Sequence, residues 1–527
     1  MYILKGAVAF LLMLVVSTFA YAETIETSVA GSTENQKVRV LVRFKSADFK
    51  AATASVSAGY SVSDELLADV AKQSRKDALV GLESEKIKLV REFKYSPEAV
   101  LELSKDDLHE LLNNPLVEEF YEDIPMKLPD YQVSNTAAVL SSIETTGALY
   151  AWNKGYTGSG QYIAILDTGI LSTHEMFKDK KIIEACFSSR GSCPGGTKEL
   201  KGKGAAAPHS SSFKDYEHGT HVSGIAAGRS SSVEGVAKGA DIIAVQVFSI
   251  FTNDRECGTE EICLRSLLSD QLAALEYIYE LSKEYPIAAV NMSFGSGTSS
   301  SFCENSFSTI IEKLTNAGVA VVAAAGNSSG SKDCTRTTSP ACIEKTISVG
   351  SIGSGYIESD FSMFLKGVTD IMAPGERIRS AVAKGNSAYG VYSGTSMSTP
   401  QVSGAFAIFR QADKQAPVAD LVKALKDTQG AISYTCEQNA ETVGRLRIDA
   451  ALAKITGDQS IVSTKEGIWE YYNSGYVEND VKPDVETGSK ASSSGGGGGC
   501  SASKEGGFPF LISLAVIGYF IRRKLLS

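Results

Sequence analysis

Three short segments of this chain carry residue types that could together activate a hydroxyl. Gly394-Thr395-Ser396-Met397-Ser398-Thr399-Pro400 sets Ser396 among small residues where a helix should start. His218-Gly219-Thr220-His221-Val222-Ser223-Gly224 supplies an imidazole, and Ile163-Ala164-Ile165-Leu166-Asp167-Thr168-Gly169 places a carboxylate at the end of an apolar strand. A serine hydroxyl is too weak an acid to attack an amide at neutral pH. A histidine titrating near pH 6.5 must take its proton and later pass it to the leaving amine. Asp167 in turn would fix the tautomer of His218 and stabilise the imidazolium formed when Ser396 attacks. The resulting oxyanion needs a donor already in place.

Val321-Val322-Ala323-Ala324-Ala325-Gly326-Asn327 reads as a buried strand opening into a Gly-Asn turn. Taken singly, each of these motifs is an ordinary turn or a satisfied core residue. Four in the order Asp, His, Asn, Ser are another matter, and the set resembles the subtilisin-like serine peptidases. The resemblance implies an Asp167, His218, Ser396 triad, with Asn327 donating its side-chain amide to the oxyanion beside the Ser396 backbone N–H. It also implies that Ser293, Phe294 and Gly295, with Ala324, Ala325 and Gly326, bind an extended substrate backbone. The same segments wall the first specificity pocket, with Thr338, Pro340 and Ala341 at its floor. No carboxylate occurs among these residues, which favours an apolar side chain there over a basic one. His221 is expected to be structural, because metal pairs on helices take the i, i+4 step with a carboxylate and no His-Glu-x-x-His occurs. His174 is read as packing. Calcium is frequent in the resembled family, but no ligand loop can be matched here, and Asp254-Arg255-Glu256 is read as an acidic loop without a metal.

These residues must be held by a larger frame. Short apolar runs at 162–166, 242–247, 288–292 and 319–324 alternate with helical stretches at 264–282 and 307–316. That alternation implies an α/β fold whose mainly parallel sheet is covered by helices on both faces. The resembled core spans 140–455. Before it, strands at 38–44, 89–93, 99–103 and 117–122, with helices at 64–85 and after Ser104, form a small α+β unit. Placed there, the unit at 23–135 resembles an inhibitory propeptide that assists folding and occupies the cleft with its C-terminal tail, its cleavage point falling between Met126 and Thr145. The chain departs from the family in a basic, Gly- and Ser-rich insertion at 178–212. Ser398 and Gln401 also stand where Ala and His are usual.

Residues 1–22 read as a secretory signal, with Lys5, an apolar run and a small-residue site at Ala20-Tyr21-Ala22. An exported chain can hold disulfides, and eight of the nine cysteines fall at 186, 193, 257, 263, 303, 334, 342 and 436. Cys186–Cys193 and Cys257–Cys263 are the preferred local loops; Cys500 is left over. A net charge of −10 and the lack of a basic run argue against a nucleic-acid partner. An extension and linker at 456–494 precede residues 495–527, where five glycines, an apolar run from Phe508 to Ile521 and Arg522-Arg523-Lys524 close the chain. As a helix that run reaches about 21 Å, short of a hydrocarbon core of about 30 Å. The tail resembles the bacterial Gly-Gly sorting signals. It implies a rhombosortase-type processing protease and the type II secretion machinery as partners, beside the protein or peptide substrates and the chain's own propeptide. The expected place is the exterior or surface of a Gram-negative-type bacterium, with a C-terminal membrane segment that is cleaved or kept. The function expected is a secreted serine endopeptidase made as a self-processed zymogen. The alternatives are a non-catalytic surface-binding protein on the same fold and a processing protease with few clients.

Overall fold

The computed structural model describes residues 37–463, apart from 58–61, 81–86, 135–141, 253, 329–331, 354–355, 358 and 437–438. The expected signal, the extension beyond 463, Cys500 and the expected sorting tail lie outside the described residues.

Ten strands form the main sheet, in the order 430–436, 439–445, 371–374, 347–352, 320–324, 287–292, 162–167, 241–246, 182–187, 199–201. Every pairing is parallel except the hairpin at each edge. The central strands are buried along their whole length, which is why they read as continuous apolar runs and not as alternating ones. Side chains still alternate between faces. Ala164 and Leu166 join a core with Leu272, Leu275, Ile311 and Leu314 of the helices Leu268–Ser282 and Phe307–Asn316. Ile163 and Ile165 instead meet Val222, Ile225 and Ala407, from the helices His218–Ala227 and Thr395–Ala412. From the strand Tyr162–Asp167 the chain first builds outward to 182–187 and 241–246, then crosses to build 287–292 and beyond on the other side. Asp167 therefore ends the strand at the switch point, where open α/β sheets form their ligand crevice.

The expected α/β layering is what the molecule shows, with two differences in its elements. The stretch expected as one helix over 264–282 begins as a strand, Cys263–Leu267, paired antiparallel with Phe248–Phe251 and with Pro125–Met126, and the helix starts only at Leu268. A helix at Ala47–Ser57 had no counterpart in the sequence reading.

Residues 38–122 build an antiparallel sheet in the order 88–92, 98–103, 38–44, 117–122. One face carries its own core of Val40, Val42, Leu101, Leu108 and Leu111. Through Leu41, Phe93 and Val100 the other face merges with the core around Leu272 and Ile310. Polar contacts frame that seam. Asp123 caps the helix Leu268–Ser282 from outside, accepting from Ser269 N at 3.0 Å and Ser269 Oγ at 2.7 Å. Glu276 accepts the backbone N–H groups of Lys94 and Tyr95 at 3.0 and 2.8 Å. Arg91 pairs with Asp270 at 2.9 Å. Burial pushes the Asp270 carboxyl up to about 6, against the opposing pull of Arg91.

Disulfides join Cys186 to Cys193 and Cys257 to Cys263, the two expected local loops, and Cys303 to Cys342; Cys334 is also disulfide-bonded. Among the described residues no helix is long and apolar enough to cross a membrane.

Candidate active site

Asp167 sits at the carboxyl end of its strand, almost wholly buried. Its Oδ1 accepts from Thr168 N at 2.8 Å and faces His218 Nδ1 at 2.7 Å. Gly219 makes this approach possible: a Cβ there would meet Gly169 O at 2.4 Å and Asp167 Cβ at 3.0 Å, so any larger residue would push the His218 helix off the strand. His218 is fully buried, and its Nε2 has no hydrogen-bond partner among the described residues.

Ser396 lies in the first turn of Thr395–Ala412, a buried helix whose N-terminal N–H groups lack intrahelical acceptors. Its Oγ donates to Ser293 O at 2.9 Å and not to His218. Pro400 sits four residues on and has no N–H, so the Ser396 carbonyl loses its helical partner. Ser293 Oγ replaces that partner, donating to Ser396 O at 2.9 Å. Asn291 Nδ2 donates to Ser293 Oγ at 2.9 Å, and Ser403 Oγ to Asn291 Oδ1 at 3.0 Å, so a buried polar chain clamps the start of the helix to the end of the strand Ile287–Met292.

Asn327 follows the strand Ala320–Ala324. Its Oδ1 accepts from Thr395 N at 3.0 Å and Thr395 Oγ1 at 2.8 Å. With the oxygen held there, Nδ2 must face the cleft, where it donates to Asp130 O at 2.7 Å. That acceptor belongs to the chain's own segment after the N-terminal sheet. The segment enters with Pro125–Met126 paired to Ser266–Leu267 and leaves with Gln132–Ser134 paired antiparallel to Val391–Ser393. Asp130 points its side chain outward, 70% exposed and 3.1 Å from Lys127, while Leu128 and Met126 are buried.

The fold thus brings Asp167, His218, Ser396, Ser293 and Asn327 into one crevice. Ala325 O accepts from Thr338 N at 3.0 Å, and Ser296–Ser299 pairs with Thr337–Ser339, so the segments beginning at 293 and 324 both lead to contacts with Thr337–Ser339. Cys303–Cys342 ties the two together. Phe294 itself is fully buried and packs on Phe248. Thr395 and Pro400 were visible in the sequence, but only their contacts reveal what they do. The sequence put a cleavage point between Met126 and Thr145 but did not single out Asp130 or Tyr131 within that window.

His221 is buried, stacks on Tyr392 with centroids 4.2 Å apart and contacts Gly390 O at 3.2 Å. Burial, with His218 nearby, pushes its imidazole down to about 3. His174 accepts from Met176 N at 3.2 Å and contacts Ala388 O at 2.9 Å. Ser398 and Gln401 are buried and bond the backbone of the strand Ile371–Pro374, at Ala373 O and Pro374 O, away from the cleft. Among the described residues no group of three or more His, Cys, Asp or Glu side chains could hold a metal ion.

The sequence profile of the Subtilase family matches residues 158–457. Subtilisin NAT of Bacillus subtilis subsp. natto is 30% identical over 327 residues, covering 61% of this chain and 72% of that protein. An alkaline proteinase of Hapsidospora chrysogena is 32% identical over 320 residues, 58% of this chain and 68% of its own. Subtilisin E of Bacillus subtilis (strain 168) is 30% identical over 327 residues, again 61% and 72%. With the parallel sheet, the crevice at its switch point and a family match that spans the core, this chain belongs to the subtilase family and is a serine endopeptidase.

Proposed function

We propose that Ser396 is the nucleophile, His218 its base, Asp167 the residue that orients His218, and Asn327 the oxyanion donor. We further propose that residues 23–130 are an inhibitory propeptide which the enzyme removes itself. The contact of Asn327 Nδ2 with Asp130 O carries this reading, because it sets a carbonyl of the chain's own backbone against the donor that an oxyanion requires. A turn of the Ser396 side chain away from Ser293 O brings Oγ to His218 Nε2. The proton passes to Nε2 as Oγ bonds to the Asp130 carbonyl carbon, and the oxyanion is held by Asn327 Nδ2 and the Ser396 N–H. His218 then returns the proton to the Tyr131 nitrogen as the C–N bond breaks, and water hydrolyses the acyl-enzyme by the reverse route. Asp167 Oδ2 is buried without a partner among the described residues, so the imidazolium that forms is the charge complement its carboxylate needs. Substrate proteins follow the same path, their backbones taking the place of 125–134 as an added strand.

The test is to express the chain from Glu23, incubate it and read N-terminal sequence and mass. A new terminus at Tyr131, with a serine-directed phosphonate on Ser396, is expected. A chain that stays whole and unlabelled would make the fold a binding scaffold. Export is part of the same reading, because the disulfides suit an oxidising compartment. The signal at 1–22 and the tail at 495–527 supply the route and the surface attachment.

Closure of the specificity pocket should depend on Cys303–Cys342, which spans 39 residues. Replacing both by Ala in a Ser396→Ala background, where no proteolysis intrudes, is expected to lower the unfolding free energy by about 4 kcal/mol. Denaturant titration reads this, and a loss below about 1 kcal/mol would mean the loop is held by its other contacts.

A further inference from the structure

The segment in the cleft also shows what the site holds beyond the cut, if the peptidase reading above is right. With Asp130 O on Asn327, Tyr131 is the first residue on the leaving-group side, and Gln132 continues opposite Ser393. The Tyr131 ring lies 5.1 Å from the His218 ring and 5.1 Å from the Tyr392 ring. Gly394 forms the floor: a Cβ there would come within 3.2 Å of Tyr131 Cβ and of Asn327 Nδ2, so a side chain would crowd the entering residue. Burial, with the Asp215 carboxylate nearby, pushes the Tyr131 hydroxyl well above the usual phenol range. Asp215 holds a left-handed backbone conformation at φ 68°, unusual outside glycine, while its own carbonyl accepts from His218 N at 3.1 Å. Glu217 accepts from the Tyr392 hydroxyl and lies 3.3 Å from Lys384 Nζ.

We propose that His218, Tyr392, Gly394 and Asp215 form a selective pocket for tyrosine immediately after the scissile bond, with Asp215 reading the phenol. Aromatic faces on two sides suit a planar ring. A site with an acceptor placed for a hydroxyl discriminates against the analogue that lacks it, because the acceptor then loses its partner. The enzyme would thus read its substrates on the amine side of the cut, where the released fragment begins with tyrosine.

Matured enzyme and five internally quenched peptides test this, the peptides differing only in Tyr, Phe, Leu, Ala or Arg after the cut, with mass spectrometry fixing the cleaved bond. Tyr is expected to exceed Phe in kcat/KM by about tenfold, the return of a hydrogen bond to a charged acceptor at a half-exposed site. In Asp215→Gly, which accepts the φ of 68° without strain, and in Asp215→Asn, the Tyr-to-Phe ratio should fall to within about threefold while Phe stays ahead of Ala. Each ratio is taken within one protein, so a change in overall turnover does not enter it. A wild-type preference for Arg, equal rates for Tyr and Phe, or a ratio that Asp215→Gly leaves untouched would overturn the pocket. A protein that cuts none of the five and takes no phosphonate overturns the peptidase reading beneath it.

Discussion

Ser396→Ala is expected to reduce turnover of a casein-type substrate by about 10⁶-fold, the magnitude seen when a subtilisin loses its nucleophile, and to leave the chain uncut between Asp130 and Tyr131. The fold should survive, since among the described residues the Ser396 side chain makes one hydrogen bond, to Ser293 O, and its loss costs about 1 kcal/mol. The clamp through Ser293 Oγ engages the Ser396 backbone carbonyl and is untouched by the substitution. The variant should therefore circulate as the full-length form, with residues 125–134 still in the cleft. Adding His218→Ala should cost little more, because the two residues act as a unit whose losses do not add. Activity above about one per cent of wild type in Ser396→Ala would remove Ser396 from the role given to it, whatever the fold.

What could be read in the sequence and what could not divide along a physical line. Asp167, Asn327 and Ser293 each close an apolar strand, and His218 and Ser396 each open a helix. Such positions are set by local pattern, and the run Phe307–Asn316 shows how well a strong 3.6-residue period locates an element. The strand Cys263–Leu267 escaped because its apolar residues continue the helical pattern that follows, and only its partners, at Phe248–Phe251 and Pro125–Met126, make it extended. Such partners lie far along the chain, as do Asn327 and Asp130, which are 197 residues apart. The helix Ala47–Ser57 is weakly amphipathic, so no period marked it. The effect of Pro400 could in principle have been inferred from the sequence, since a proline at that offset must free the Ser396 carbonyl. Which side chain takes the place of the missing N–H is a tertiary fact.

Asp167→Asn should lower kcat by about 10⁴-fold at neutral pH, the penalty known for the equivalent change in another Ser-His-Asp protease, with little change in fold. The reason lies in which atoms face each other. Asp167 Oδ1 accepts from both Thr168 N and His218 Nδ1, so the imidazole carries its proton on Nδ1 and leaves Nε2 free to accept. An asparagine can keep its oxygen at that shared position only by burying its amide hydrogens where Asp167 Oδ2 has no partner among the described residues; turned over, it gives up Thr168 and points an N–H donor toward Nδ1. The proton then shifts to Nε2, which faces Ser396 as a donor and can no longer remove the hydroxyl proton. Because the defect is one of tautomer, activity should recover steeply as alkali ionises the serine directly, and phosphonate labelling should slow by a similar factor and recover in parallel. Asp167→Ala, which removes orientation without imposing the wrong tautomer, separates the two roles by its different pH profile. If Asp167→Asn kept more than about a tenth of wild-type turnover, the 2.7 Å contact between Asp167 and His218 would be packing rather than chemistry.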